Sequence, residues 1–398
     1  MAELLAPAGD LEKLEYAAAY GADAVYFGMQ NFSLRSFAGN FSLEDADKGI
    51  KLLHKLGKKA YVTLNIYPYS SEYEGLVVMA KELENINADA FIVYDLGVIY
   101  EFKKAGIKTP IHISTQANTM SWQTVLAYKE LGAKRVNLAR ELSFEQIKEI
   151  QNNIKDKVET EVFIHGAVCF SYSGRCAISD YMTGRKANRG ECTHPCRWKY
   201  YLVEETREGE FYPVAEDKRG LYFFNNKDLA LFPFVNELMR SGVNSFKIEG
   251  RMKTIHYIAS VVSLYRRIMD GENISVEDGF KLLSRVNNRG YSYGFMKGGI
   301  TQEDYSQGEN STYSTSTFVA NYLESTKEGT ILRARNRIFA GDKLEVLSPG
   351  GKISEIEMTK PLLKRDGTQA DVVHNTDEIV IKEKISPYSL LRKIKEEK

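Results

Sequence analysis

The chain lacks net charge: 53 Lys and Arg are balanced by 53 Asp and Glu over 398 residues. There is thus no global electrostatic case for nucleic-acid binding, and any such surface must be a local patch. No apolar run approaches membrane-spanning length, because charged or polar residues interrupt the longest candidates. The opening segment, MAELLAPAGDLEK, has no basic stretch followed by an apolar one. It does not read as a secretory signal, and a cytoplasmic location is the expectation. Nucleotide-binding signatures are missing: neither G-x-G-x-x-G nor G-x-x-x-x-G-K-S/T occurs. H-E-x-x-H and G-x-S-x-G are absent as well, which leaves little support for hydrolysis. Cysteine is scarce. The chain has four, and all lie between Cys169 and Cys196, spaced C-x6-C-x15-C-x3-C.

The cysteines are the most informative feature present. Four thiols gathered on one loop can form a tetrahedral site for a soft metal or hold an iron–sulfur cluster. Zinc sites favour paired C-x2-C knuckles, which this spacing lacks, whereas a cluster accepts ligands from a long wrapping loop. Disulfides are rare in the expected compartment. Iron–sulfur, zinc and ordinary buried thiols stay open on spacing alone. His194, between Cys192 and Cys196, is either a substitute ligand or a surface histidine.

The length suggests two or three domains, with ample core and no need of covalent staples. The first part of the chain alternates short β-rich apolar runs with segments of helical period. Strands are expected at 3–6, 24–28, 59–66, 90–95, 111–115, 135–139, 161–165 and 245–249, with the clearest helices at 10–20, 73–85, 96–105, 122–131 and 144–154. Eight strands with alternating helices are the count of a TIM-type (β/α)8 barrel, favoured here over a doubly wound sheet. Residues 1–270 are read as that barrel, with a Cys-rich insertion at 166–243 after strand seven. Within it a hairpin is expected over 199–205 with 212–214, then a helix at 232–240. In a barrel such an insertion leaves the strand ends that carry active sites. A polar linker at 271–317 and a small all-β barrel domain at 318–390 complete the reading.

Several candidate site residues sit at strand ends. Arg140 ends strand six, Lys247, Arg251 and Lys253 flank the end of strand eight, Arg35 follows strand two, and Arg185 and Arg189 lie in the cysteine loop. Singly each reads as a solvated charge or ion pair; together they read as a site for carboxylates or phosphates. Asp95, Glu141 and Glu249 are the acidic candidates, and Glu249 is the one placed with His165 as catalytic. His165 ends strand seven and is read as a proton relay, a hydrogen-bond donor to the metal ligands, or a packed histidine. Asn65 and Gln116 are neutral amides suited to orienting a substrate.

The segment from Glu161 to Ser179 closely resembles the signature of the collagenase-like peptidases, a family of unknown catalytic type. Glu161, Phe163, Gly166, Cys169, Gly174, Cys176 and Ser179 all match its pattern. Leu5-Ala6-Pro7-Ala8-Gly9, Asn188-Arg189-Gly190-Glu191-Cys192, Cys196-Arg197-Trp198, Asn226-Lys227-Asp228-Leu229, Lys247-Ile248-Glu249-Gly250-Arg251 and Asn288-Arg289-Gly290-Tyr291 resemble it too. The resemblance covers nearly the whole chain. It implies a 4Fe–4S cluster on Cys169, Cys176, Cys192 and Cys196, with zinc as the alternative metal. It also implies hydroxylation of RNA. Length, the single β-domain and the pattern at 184–190 look most like the branch that uses prephenate to convert the wobble uridine of tRNA to 5-hydroxyuridine. The expected partners are then tRNA and prephenate. Arg140, Arg185, Lys247 and Arg251 are expected to clamp the two carboxylates of prephenate. Tyr26 or Tyr172 is expected to stack on a flipped uridine. Lys360, Lys364 and Arg365 are expected to meet the tRNA backbone. The alternatives are peptide-bond hydrolysis, rRNA cytidine hydroxylation and an RNA-binding adaptor without chemistry.

Overall fold

A computed structural model describes residues 2–33, 39–169, 171–198, 215–217, 220–222, 226–299, 304 and 312–395. Arg35 and the expected hairpin over 199–205 and 212–214 lie outside the described residues. The chain divides into two compact units, one of Met1–Ala18, Ala22–Lys253 and Arg289–Thr312, the other of Ala19–Gly21, Thr254–Asn288 and Tyr313–Lys398.

In the first unit, β1 (Glu3–Pro7), β2 (Ala24–Gly28), β3 (Lys59–Thr63), β4 (Ala90–Val93), β5 (Ile111–Ile113), β6 (Ala133–Asn137) and β7 (Glu159–Gly166) pair in parallel and in sequence order. The chain then makes a short hairpin, β8 (Ala215–Asp217) with β9 (Gly220–Tyr222), and a strand β10 (Asp228–Ala230). The eighth barrel strand, β11 (Ser245–Ile248), pairs with β7 on one side and β1 on the other, closing the circle. The expected (β/α)8 barrel is therefore present. The strands read as apolar runs because both faces of a parallel barrel strand are covered; every residue of β2 and β4 is buried.

Helices α1 (Leu11–Ala19), α2 (Leu43–Lys55), α3 (Tyr73–Asn85), α4 (Leu96–Lys104), α5 (Trp122–Glu130) and α6 (Phe144–Ile154) alternate with these strands. Ser42, Asp95, Ser121 and Ser143 each accept a backbone N–H of the first turn of the helix that follows. Such caps satisfy amides the helix itself leaves unbonded. Asp95 also accepts the Tyr73 hydroxyl at 2.8 Å. It is a helix cap, and that accounts for one of the three strand-end carboxylates.

After β7 come α7 (Ile178–Thr183), then, beyond β10, α8 (Val235–Arg240). β10 runs antiparallel to the end of β7, with Leu229 opposite Gly166 and Ala230 opposite His165. A further short strand, β12 (Tyr291–Ser292), pairs with β10.

The second unit holds α9 (Ile255–Met269), α10 (Val276–Leu283) and an antiparallel all-β region. Its strands are β13 (Ser316–Ser325), β14 (Thr330–Ala334), β15 (Ile338–Phe339), β16 (Lys343–Ser348), β17 (Lys352–Glu357), β18 (Leu362–Lys364), β19 (Gln369–Ala370), β20 (Val372–Val373), β21 (Glu378–Ile381) and β22 (Leu390–Ile394). The main sheet runs β17-β16-β22-β13-β14-β21-β18-β19, with no ladder joining its two outer strands among the described residues. Val319, Leu332, Val346, Ile379 and Leu391 form part of its core. Helix α9, which lies within the span 1–270 read as barrel, groups with this unit. It is buried at every position except Arg266 and Arg267. His256 stacks on Phe318 with ring centroids 5.4 Å apart, and Arg392 reaches Ser260 at 3.4 Å.

Candidate active site at the barrel mouth

The strand ends and the cysteine loop enclose a cavity of about 400 Å³. Strand-end residues on its wall include Thr63, Asn65, Gln116, Asn137, Arg140, Lys247, Glu249 and Arg251, and the loop contributes all four cysteines. This is the face where barrels carry their chemistry, and the size suits a small-molecule ligand.

Two glycines make room for this arrangement. Gly166, where the loop leaves β7, has φ of +108°, and a Cβ there would lie 2.5 Å from the Glu249 carbonyl oxygen. Gly28 leaves space for the Arg251 guanidinium, which any Cβ would strike. The loop is pinned to the barrel at several points. Tyr67 donates to the Gly174 carbonyl at 2.8 Å, and Asn118 to that of Ser173 at 3.2 Å. Asn226 donates to the Cys169 carbonyl at 3.3 Å. Arg189 grips both carboxylate oxygens of Glu72, at 2.5 and 2.9 Å, and donates to the Tyr67 carbonyl. Arg189 is thus a fastener, drawn out of the set of possible substrate clamps. Ser179 is fully buried. Its oxygen accepts the Thr193 amide and ties α7 to the Cys192–Cys196 segment.

All four thiols are free of disulfides, Cys169 exposed and the others half-buried. Among the described residues, no three His, Cys, Asp or Glu side chains gather as a closed ligand set around one point. The donor chemistry nevertheless fits a soft metal or an iron–sulfur group: four thiols, none in a disulfide, share one cavity wall.

The expected clamps divide into two kinds. Lys247 is buried and forms an ion pair with Glu161 at 3.0 Å, with its ammonium 4.4 Å from the Tyr26 ring centroid. Glu161 also accepts from Asn137 at 2.7 Å and Ser245 at 3.2 Å, and Arg135 lies 3.5 Å away. Arg135 in turn pairs with Glu3 at 2.5 Å and Glu159 at 2.7 Å. Lys247 therefore belongs to an ionic network inside the barrel, and its charge is already balanced. Arg140 is different. It donates to the Ala167 carbonyl at 3.3 Å and lies over the Phe163 ring at 3.9 Å, with no carboxylate within ion-pair distance among the described residues. Arg251 is buried and donates to Thr63 at 3.1 Å. Lys253 and Arg289 also line the cavity, Arg289 lying 3.6 Å from Asp228. Arg185 is exposed and is not on the wall.

Asn65 and Gln116 bond to each other, Asn65 Nδ2 to Gln116 Oε1 at 2.7 Å and Gln116 Nε2 to the Asn65 carbonyl at 3.0 Å. Tyr26 is buried and donates to the Ile248 carbonyl at 3.0 Å and to Glu249 at 3.3 Å. Tyr172 is half-exposed on the loop side. Glu249 is on the wall, whereas Glu141 is not. Asn137 escaped the sequence reading. Its Nδ2 is committed to Glu161, and its Oδ1 has no hydrogen-bond partner. A polar residue ending an apolar strand was the available signal.

His165 is behind the wall, buried, with its ring 5.6 Å from that of Tyr291. Burial, reinforced by the Lys253 charge, pushes its pKa from 6.5 down to about 3. The unfolded chain takes up a proton below 6.5 that the folded residue refuses until about 3. Stability from this group is thus full above that window and lost as pH falls through it, by up to about 1.4 kcal/mol per pH unit. His165→Gln is expected to lose stability less steeply on acidification than the parent, measured by urea unfolding at neutral pH and near pH 5. Parallel slopes would contradict a neutral buried His165.

A closed (β/α)8 barrel whose mouth carries four thiols outside any disulfide and several cations defines the class of this protein. It belongs to peptidase family U32: the family profile matches residues 9–306, and that of the family's C-terminal domain matches 314–392. The chain is 37% identical to tRNA hydroxylation protein P1 of Bacillus subtilis (strain 168), over 98% of this chain and 94% of that one. It is 36% identical to tRNA hydroxylation protein P of Escherichia coli (strain K12), covering 88% and 87%. It is 32% identical to a collagenase of Porphyromonas gingivalis (strain ATCC BAA-308 / W83), covering 74% and 73%.

Proposed function

We propose that this chain is an iron–sulfur tRNA-modifying enzyme that hydroxylates the wobble uridine to 5-hydroxyuridine with prephenate as co-substrate. The observation that carries the reading is similarity along 98% of the chain to a protein named for tRNA hydroxylation. Cys169, Cys176, Cys192 and Cys196 would hold the cluster. When bound, such a cluster supplies electron transfer or a Lewis-acidic iron. Arg140 and Arg251, with Lys253, offer prephenate's two carboxylates charge-assisted hydrogen bonds. Lys247 and Tyr26 act one step back: Lys247 holds Glu161, and Tyr26 holds Glu249 toward the cavity. The loop covers the barrel mouth and limits water there. A cytoplasmic location accords with the RNA substrate. No helix among the described residues is long and apolar enough to cross a membrane.

A strain lacking this gene is expected to lose 5-hydroxyuridine-derived nucleosides from digested tRNA, and the wild-type gene to restore them. An unchanged tRNA profile, in a strain without a second copy, rejects the reading. Loss of hydroxycytidine from rRNA instead would assign the rRNA alternative, and RNA binding with no altered nucleoside would assign an adaptor. The relative named collagenase favours a second reading, peptide hydrolysis with Glu249 as the water-activating group. That reading requires proteolysis that Glu249→Gln abolishes.

A further inference from the structure

The cysteine loop has an outer surface that holding a metal does not explain. Residues 167–198 carry five Lys and Arg against two Asp and Glu, in a chain whose charges balance overall. The same stretch exposes large aromatic side chains. Tyr181 is 89% exposed, Tyr172 47% and Trp198 40%, and Met182, beside Tyr181 on α7, is 42% exposed. A folded chain rarely leaves so much aromatic surface in water without a partner for it. Arg175, Arg185 and Lys186, all exposed, are interleaved with these rings in the sequence. The loop is not a loose tether. Arg189 and Glu72 fasten it, and Ser179 and Thr193 cross-link α7 to the segment before Trp198. Tyr172 also lines the cavity, so one of these exposed rings stands at the mouth itself.

Aromatic faces alternating with cations are what an unpaired RNA strand needs, since bases stack on the rings and phosphates meet the charges. Duplex RNA hides its base faces and offers only the second of these. We infer that Tyr172, Tyr181 and Trp198, with Arg175, Arg185 and Lys186, form a platform for single-stranded RNA, on which the nucleotides flanking the target base stack. This rests on the RNA-modifying reading and names the element that receives the substrate. It also moves the RNA surface away from Lys364 and Arg365. Those two cations are neutralised within the second unit, by Asp377 at 3.2 Å and by Glu378 and Glu324 at 2.7 Å each.

The test is fluorescence anisotropy on the full chain, purified without oxygen, with a synthetic RNA stem–loop and a fully duplexed RNA of the same length. Tyr181→Ala is expected to weaken stem–loop binding about 5- to 100-fold and leave duplex binding unchanged. Tyr181→Phe is expected to retain binding. The double variant Arg175→Gln with Arg185→Gln is expected to lower the salt slope of binding by about 1.4. Thermal melting checks that the exposed substitutions leave the fold intact. Stem–loop affinity unchanged in Tyr181→Ala and in Tyr172→Ala overturns the platform. So does an equal loss on duplex RNA, or loss of a protein partner with RNA binding intact. If those variants match a wild type that does bind and modify RNA, the platform alone fails. If the wild type binds neither RNA, the RNA-modifying reading fails with it.

Discussion

Glu161→Ala is expected to destabilise the barrel by about 3–5 kcal/mol, the usual result of removing one partner from a buried charge cluster. Glu161 is 2% exposed and stands between Lys247, 4% exposed, and Arg135, 3% exposed. Its loss leaves Lys247 with no carboxylate partner among the described residues and removes one of three carboxylates around Arg135. In a unit of this size such a loss lowers the melting temperature by roughly 10 °C. Lys247→Met is expected to do much less. Glu161 then still faces Arg135 and keeps its hydrogen bonds from Asn137 and Ser245. Thermal melts of the two variants check this ordering. Equal losses would mean that Lys247, and not the Glu161 junction, is the sensitive element. The pair also separates structure from substrate binding. If Lys247→Met melts normally yet raises KM for prephenate more than tenfold, Lys247 is a clamp after all.

The second large effect concerns the thiols. Protein purified without oxygen is expected to be brown, with about four iron and four acid-labile sulfide per chain. Cys176→Ser is expected to lose both colour and tRNA hydroxylation. Four thiols on one cavity wall, none in a disulfide, motivate this. A colourless wild-type protein with one zinc per chain would replace the cluster with a structural metal. A brown Cys176→Ser variant with full cluster content would remove Cys176 from the ligand set. Because metal binding couples to the order of the segment that supplies its ligands, loading is also expected to stabilise the loop. Protease cleavage between 167 and 198 should accordingly slow in the loaded protein.

Much of the barrel was legible because its strands are covered on both faces and so appear as short apolar runs. All eight expected strands are present, and the helices at 73–85 and 144–154 match to the residue. Strand β3 was read to residue 66 but ends at Thr63. Leu64 and Ile66 stay buried beyond the strand's end, so burial runs on past the strand itself. Side-chain pairing was far less visible. Lys247 and Glu161 are 86 positions apart, and Arg189 and Glu72 are 117 apart. Asn65 and Gln116, read as substrate-facing amides, satisfy one another across two strand ends.

Local patterns in the sequence determined the alternation of strand and helix, the cluster of four cysteines and the place of their loop after the seventh strand. Those features depend on neighbouring residues: burial sets the periodicity, side-chain caps start the helices, and glycine permits the turn out of β7. Tertiary structure alone decided which charges remain available to a ligand. A cation's role depends on what stands within a few ångströms of it, and closing the barrel sets that distance. It placed Lys247 against Glu161, fastened Arg189 to Glu72 and sent His165 behind the wall. It left Arg140 held by a carbonyl and an aromatic ring, at the edge of a thiol-lined cavity.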